Sequence, residues 1–130
     1  MRLFNKLNYM KILGIDYGRR KIGLALGNST LAEPYKVIKV DSFESAVKKI
    51  LQIIKVLQIE QVVVGVSEGE MGEESKKFAE RINAKTFDET LSTHDAQKLS
   101  IESGMNRKKR KLNEDAFAAT VMLQSYIDYV

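Results

Sequence analysis

Residues 12–26, ILGIDYGRRKIGLAL, decide how this chain folds. Ile12 to Tyr17 alternates as a β-strand, and Ile22, Leu24 and Leu26 repeat at every second position. Gly18-Arg19-Arg20 between them is the size of a hairpin connection. Asp16 shares a strand face with Ile12 and Gly14, which puts it at the carboxyl end of the strand. Ligands of open sheets bind at such ends. The plain alternative is a turn-forming aspartate ahead of Gly18. Gly14, Gly18 and Gly23 either admit a closely approaching sugar–phosphate chain or serve tight turns.

Outward from this hairpin, Tyr35–Val40 reads as a third strand after Pro34, the sole proline, which completes a meander. The period then changes. Phe43, Ala46, Val47, Ile50, Leu51, Ile54 and Leu57 follow helical spacing, with Asp41 or Ser42 as N-cap. Val62–Val66 is a short continuous apolar run, the pattern of a strand buried on both faces. SEGEMGEE, residues 67–74, reads as a solvated loop entering a helix near Glu73–Asn83. Its Glu68, Glu70, Glu73 and Glu74 lack the ligand spacing of a calcium loop. Lys85–Glu89 is a short strand, and Ser92 with Asp95 resembles a capping box for a helix to about Ser103, closed by Gly104. A final helix is expected from about Glu114, capped by Asn113. The order β-β-β-α-β-α-β-α-α gives an α/β fold. A three-strand antiparallel meander joins parallel βαβ strands in a mixed five-stranded sheet, with helices on both faces. Residues 1–130 form a single domain, with residues 1–10 as an extension.

The composition bounds the function. A chain of 130 residues, 44% hydrophobic, builds one core without staples. With no cysteine, disulfides and zinc–thiolate sites are excluded, which fits a reducing compartment. No apolar stretch approaches the roughly 20 residues that span a bilayer, and MRLFNKLNY lacks the apolar centre of a signal peptide. A cytoplasmic protein without a membrane partner is the expectation. The net charge is +4, and the cations cluster: Arg19-Arg20-Lys21 beside Asp16, and Arg107-Lys108-Lys109-Arg110-Lys111. A lone basic run is more often a solvated loop. Two, each near a suspect carboxylate, point to a nucleic-acid backbone.

Three carboxylates stand where an apolar pattern gives no reason for them. Asp16 is one. Asp115 heads the stripe 115, 118, 119, 122, 123, 126 and 127, otherwise apolar or aromatic, and needs a partner or a metal to offset its desolvation. In a first turn the helix dipole would help hold it ionised. The third is Glu89 or its neighbour Asp88; they point to opposite faces, and spacing does not choose between them. Carboxylates gathered from separate elements form a hard-cation site of the kind Mg²⁺ takes, completed by water and substrate phosphate. Two such ions about 3.5–4 Å apart clamp the attacking and leaving oxygens of a phosphodiester. His94, the only histidine, is a candidate general base, but in the first turn of a predicted helix it reads rather as solvent-exposed or a cap neighbour.

ILGIDYGRRKIGLAL, VVVGVSEGEMGEES, DETLST and RKKRKLNEDAFAATVMLQSYI resemble, in this order, the motifs of the YqgF (RuvX) family, over about Lys11 to Tyr129. The resemblance implies an RNase H-like fold and a nuclease, acting either in maturation of pre-16S rRNA or as a Holliday junction resolvase. It also implies a catalytic and metal-binding triad of Asp16, Glu89 and Asp115, and so selects Glu89 over Asp88. The sequence departs from the family pattern at Thr90, where the family has arginine, at Ser92, and at Gly65-Val66-Ser67 in place of Gly-Leu-Pro. The expectation is an endonuclease using Mg²⁺ or Mn²⁺, two ions held mainly together with substrate. Arg19, Arg20, Lys21 and Arg107 to Lys111 would bind phosphates of precursor ribosomal RNA or branched DNA, in a monomer or weak dimer. A non-catalytic nucleic-acid-binding module competes, against which the intact triad argues. A sugar-kinase or actin-type ATPase needs two such domains and is rejected.

Overall fold

The computed structural model describes the backbone of residues 10–91 and 107–130, and the side chains of 10–91 and 116–130. Residues 1–9, His94 and the expected capping-box helix with Gly104 lie outside the described residues. The hairpin is β1 (Ile12–Asp16) and β2 (Lys21–Gly27), followed by β3 (Ala32–Lys39), α1 (Phe43–Leu57), β4 (Gln61–Val66), α2 (Glu70–Arg81), β5 (Lys85–Asp88) and α3 (Arg107–Tyr129). The sheet order is β3-β2-β1-β4-β5. β1–β2 and β2–β3 pair antiparallel, whereas β1–β4 and β4–β5 pair parallel. This is the mixed five-stranded sheet expected from the sequence.

Alternation along the strands divides the core in two. Leu13, Ile15, Ile22, Leu24, Val62 and Val64 face α1 and α2, where Ala46, Val47, Ile50, Phe78 and Ala79 cover them. Ile12, Ala25, Val63 and Phe87 face α3 and pack on Ala119, Met122, Leu123, Tyr126 and Ile127. α3 sits close because its side of the sheet carries small residues. A Cβ on Gly14 would stand 2.8 Å from Leu123 Cβ. Gly14 therefore serves helix–sheet packing and is not open to a nucleic-acid chain.

Several boundaries differ from expectation, each for a physical reason. β3 begins at Ala32 and accommodates Pro34 because it is an edge strand, beside an irregularity in register at Leu24/Ala25. Ser42 is the α1 cap, its hydroxyl accepting from the Ser45 N–H at 3.1 Å. α2 starts at Glu70, so five of the eight residues of the presumed loop, 70–74, are helical. Gly69 turns the chain with φ +90°, and Glu70 and Glu73 occupy the first turn, where carboxylates suit the dipole. α3 starts at Arg107, so Asn113 is no cap and Asp115 lies well inside the helix, away from its positive end. The buried side of α3 runs through Ala116, Ala119, Met122, Leu123, Tyr126 and Ile127, while Ala118 is exposed.

Candidate active site

Register brings two of the expected carboxylates together. Asp16 closes β1 on the α3 side of the sheet, paired with Gly23 of β2. Two strands away, Phe87 of β5 is the partner of Gly65 and packs against α3. Glu89 follows Phe87 at the period of two and opens a short 3-10 turn, Glu89–Leu91, directly beyond β5. Its side chain reaches back over β4: a Cβ on Gly65 would lie 3.1 Å from Glu89 Oε1 and 3.0 Å from Met122 Cγ. Gly65 leaves the space that the Glu89 carboxylate occupies.

Both carboxyl groups are half-buried. Burial raises the pKa of Asp16. The pKa of Glu89 is raised by burial first, then by the charge of Asp16, then by Asp88. Among the described residues, nothing cationic offsets either group. Asp88 differs in every respect. It is exposed, and its Oδ1 accepts from both the Thr90 N–H and the Thr90 hydroxyl at 2.9 Å. Those bonds lower its pKa. Asp88 thus fixes the turn that presents Glu89, and Thr90 is its partner.

Asp115 has its backbone in α3, four residues before the buried Ala119; its side chain lies outside the described residues. Among the described residues, no group of three or more His, Cys, Asp or Glu converges. The donor set nevertheless fits a hard divalent cation: two half-buried carboxylates repel each other, and among the described residues no counter-charge is assigned to either.

The basic turn after Asp16 is partly committed. Arg19 donates through Nε to both oxygens of Glu74, at 3.1 and 3.3 Å, so Glu74 is an ion-pair partner rather than a solvated loop residue. Tyr17 is buried between Phe43 and Phe78, with ring centroids 6.3 and 4.7 Å away. It anchors the turn to α1 and α2. Arg20 and Lys21 are exposed. Arg107 to Lys111 form the start of α3, not a loop. The residues that sequence reasoning passed over are Glu74 and Gly65. Glu74 carried no local signal, since its partner is 55 positions away. Gly65 could have been found as the one small residue in a run of valines.

The family model for RuvX, described as Holliday junction resolvase, matches residues 10–129. The chain belongs to the RuvX family. A relative from Caldanaerobacter subterraneus subsp. tengcongensis is 40% identical, over 92% of this chain and 96% of its own, and is named "Putative pre-16S rRNA nuclease". One from Desulforamulus reducens, 35% identical over 92% of this chain and 97% of its own, carries the same name. The names of the RuvX family and of these relatives are names of nucleases. Among solved structures, Thermus thermophilus RuvC in complex with a Holliday junction substrate superposes with a TM-score of 0.59 at 15% identity, over 93% of this chain and 96% of that one. The fowlpox virus Holliday junction resolvase gives 0.58 at 14% identity, over 93% and 100%. At these identities the likeness is one of fold, and the fold is RNase H-like. Among the described residues, no helix of this RuvX protein is long and apolar enough to cross a membrane.

Proposed function

We propose that this RuvX protein is a divalent-metal-dependent endonuclease that hydrolyses phosphodiester bonds in structured nucleic acid, with the 5′ side of pre-16S rRNA as its substrate. The observation that carries the reading is the pairing of Asp16 and Glu89 on one sheet face, half-buried and without a cation among the described residues. Membership of the RuvX family and the names of its relatives support the nuclease class and the RNA substrate.

Asp16, Glu89 and Asp115 would hold Mg²⁺ or Mn²⁺, most completely with substrate phosphate present. When bound, such ions activate water at neutral pH and stabilise the charge on the leaving oxygen. The protein contributes position. Asp16 is fixed by β1 and by the Tyr17 anchor behind it, and Glu89 by the turn that Asp88 and Thr90 close. Partial burial of the two carboxyl groups keeps bulk water from screening their charge. Arg20, Lys21 and Arg107 to Lys111 would bind phosphates flanking the scissile bond; Arg19 would do so on leaving Glu74. Such contacts set the position of a substrate without reading its sequence.

The test is a substrate panel. Precursor 16S rRNA, a linear duplex and a four-way DNA junction are each incubated with protein and Mg²⁺ or Mn²⁺, and the products are mapped. Cleavage of the ribosomal precursor at its 5′ side, ahead of the junction, is the expected result. Preferential cleavage of the junction would replace the RNA substrate with branched DNA. No cleavage of any member would remove the nuclease reading.

A further inference from the structure

The edge of the sheet next to the Asp16 turn carries lysines beyond those of the candidate site. Lys21, at the start of β2, is the ladder partner of Lys39, at the end of β3. The Val40 N–H donates to the Arg20 carbonyl at 2.8 Å, which holds the end of β3 against the basic turn. Lys49 of α1 donates its ammonium to the Lys39 carbonyl at 2.7 Å, and the Lys36 ammonium stands 5.3 Å from the centroid of the Tyr35 ring. Lys36, Lys39 and Lys49 are exposed and line a groove of about 500 Å³ between β3 and α1, walled by Tyr35, Ile53 and Val56. Among the described residues, no carboxylate lines it.

We infer that this lysine groove is a second binding surface for the substrate, holding the phosphate backbone of the nucleic-acid segment that flanks the scissile bond. The inference rests on the nuclease reading for the nature of the ligand. Three observations support it. The groove opens on the α1 side of the sheet, opposite the face of Asp16, and joins the basic turn at the sheet edge through the Lys21–Lys39 ladder pair, so a polyanion that rounds this edge can contact both. Lys36 and Lys49 are already held by their contacts with Tyr35 and the Lys39 carbonyl, so less side-chain freedom is lost when an anion binds. The Tyr35 ring and the aliphatic wall offer a surface for the faces of unpaired bases. The groove lies outside every residue set that the sequence motifs assign.

The experiment measures binding without cleavage. Asp16→Asn protein in EDTA is titrated with a fluorescein-labelled RNA hairpin bearing a ten-nucleotide tail, at several salt concentrations. Two triple variants are compared in that background: Lys36→Ser, Lys39→Ser, Lys49→Ser, and a charge-matched control, Lys55→Ser, Lys76→Ser, Lys85→Ser. Thermal melts confirm folding of each. The expected result is that the groove variant lowers the slope of log affinity against log salt by about 2–3, at 0.7–0.9 for each phosphate no longer neutralised, and the control by less than one. Equal changes in the two triples, or no change in the groove variant, would overturn the inference. So would a Glu/Leu amphipathic peptide that binds the parent protein but not the groove variant while the RNA slope stays fixed, since the groove would then serve a polypeptide. A wild-type protein that binds RNA through these lysines yet cleaves nothing would end the nuclease reading and leave the groove assignment standing.

Discussion

Glu89 lays its carboxylate over Gly65, with Oε1 3.1 Å from where a side-chain carbon would begin, and there it meets the charge of Asp16 from the opposite flank of β4. The two acids are 73 positions apart in sequence, Asp16 ending β1 and Glu89 directly following β5, two strands that do not pair with each other. The proposed chemistry follows from that juxtaposition, and each part of it can be measured.

Glu89 and Asp88 should separate cleanly. Glu89→Gln removes the charge facing Asp16 and is expected to lower the cleavage rate by on the order of 10²-fold or more, several kcal/mol of missing charge stabilisation. Asp88→Asn keeps a side-chain oxygen for the Thr90 N–H and hydroxyl, and should stay within about threefold of wild type, a change of under 1 kcal/mol. Single-turnover rates at saturating protein decide it. The reverse ranking would mean that Asp88 is the ligand.

Burial of Asp16 has a consequence for stability without metal. Its folded-state pKa is raised above the ordinary 3.8, so the folded chain holds the proton more tightly than the unfolded one. Stability contributed by this group is full below about pH 3.8 and is lost as pH rises through the folded value. Asp16→Asn removes the penalty. In EDTA at pH 7 the variant should melt above wild type, with the gap closing towards pH 3. Equal melting temperatures at pH 7 would show that the buried charge is already neutralised.

Gly14→Ala tests the packing that sets the site. The added methyl meets Leu123 Cβ at 2.8 Å, and overpacking of this kind costs about 1–3 kcal/mol. In a Leu123→Gly background the same change should cost less, because the obstructing Cβ and the side chain beyond it are gone. Chemical denaturation of the four proteins gives the cycle. Additive costs would mean that α3 shifts as a body to admit the methyl.

Arg107 to Lys111, replaced together by serine, should weaken binding to every nucleic acid tested and flatten its salt dependence by about 0.7–0.9 for each phosphate these cations neutralise. Preference among substrates should hardly move, since backbone contacts carry no sequence information. Affinity against salt concentration is the measurement. Unchanged slopes would make the run a solvated helix start.

The strands were legible because alternation and the valine run are local signals, and so was α1 with its Ser42 cap. The start of α3 was not. Five cations carry no apolar periodicity, so the run resembles a loop, although Lys and Arg are good helix formers. Asn113 then imitated a cap in what is helix interior. The choice between Asp88 and Glu89 needed the pairing of β4 with β5, since a period of two says the pair diverges but not which member faces Asp16. The Arg19–Glu74 pair, likewise, exists only once α2 has packed beside the first hairpin.

The most direct test is cleavage of precursor 16S rRNA by wild type and by Asp16→Asn, each shown to be folded, across a titration of Mn²⁺. Wild type should be inert in EDTA and gain activity with metal, while Asp16→Asn stays inactive at every concentration with its fold intact. Full activity in a folded Asp16→Asn protein, or wild-type cleavage that persists in EDTA, would contradict the assignment of Asp16 as the carboxylate at the centre of a metal-dependent nuclease site.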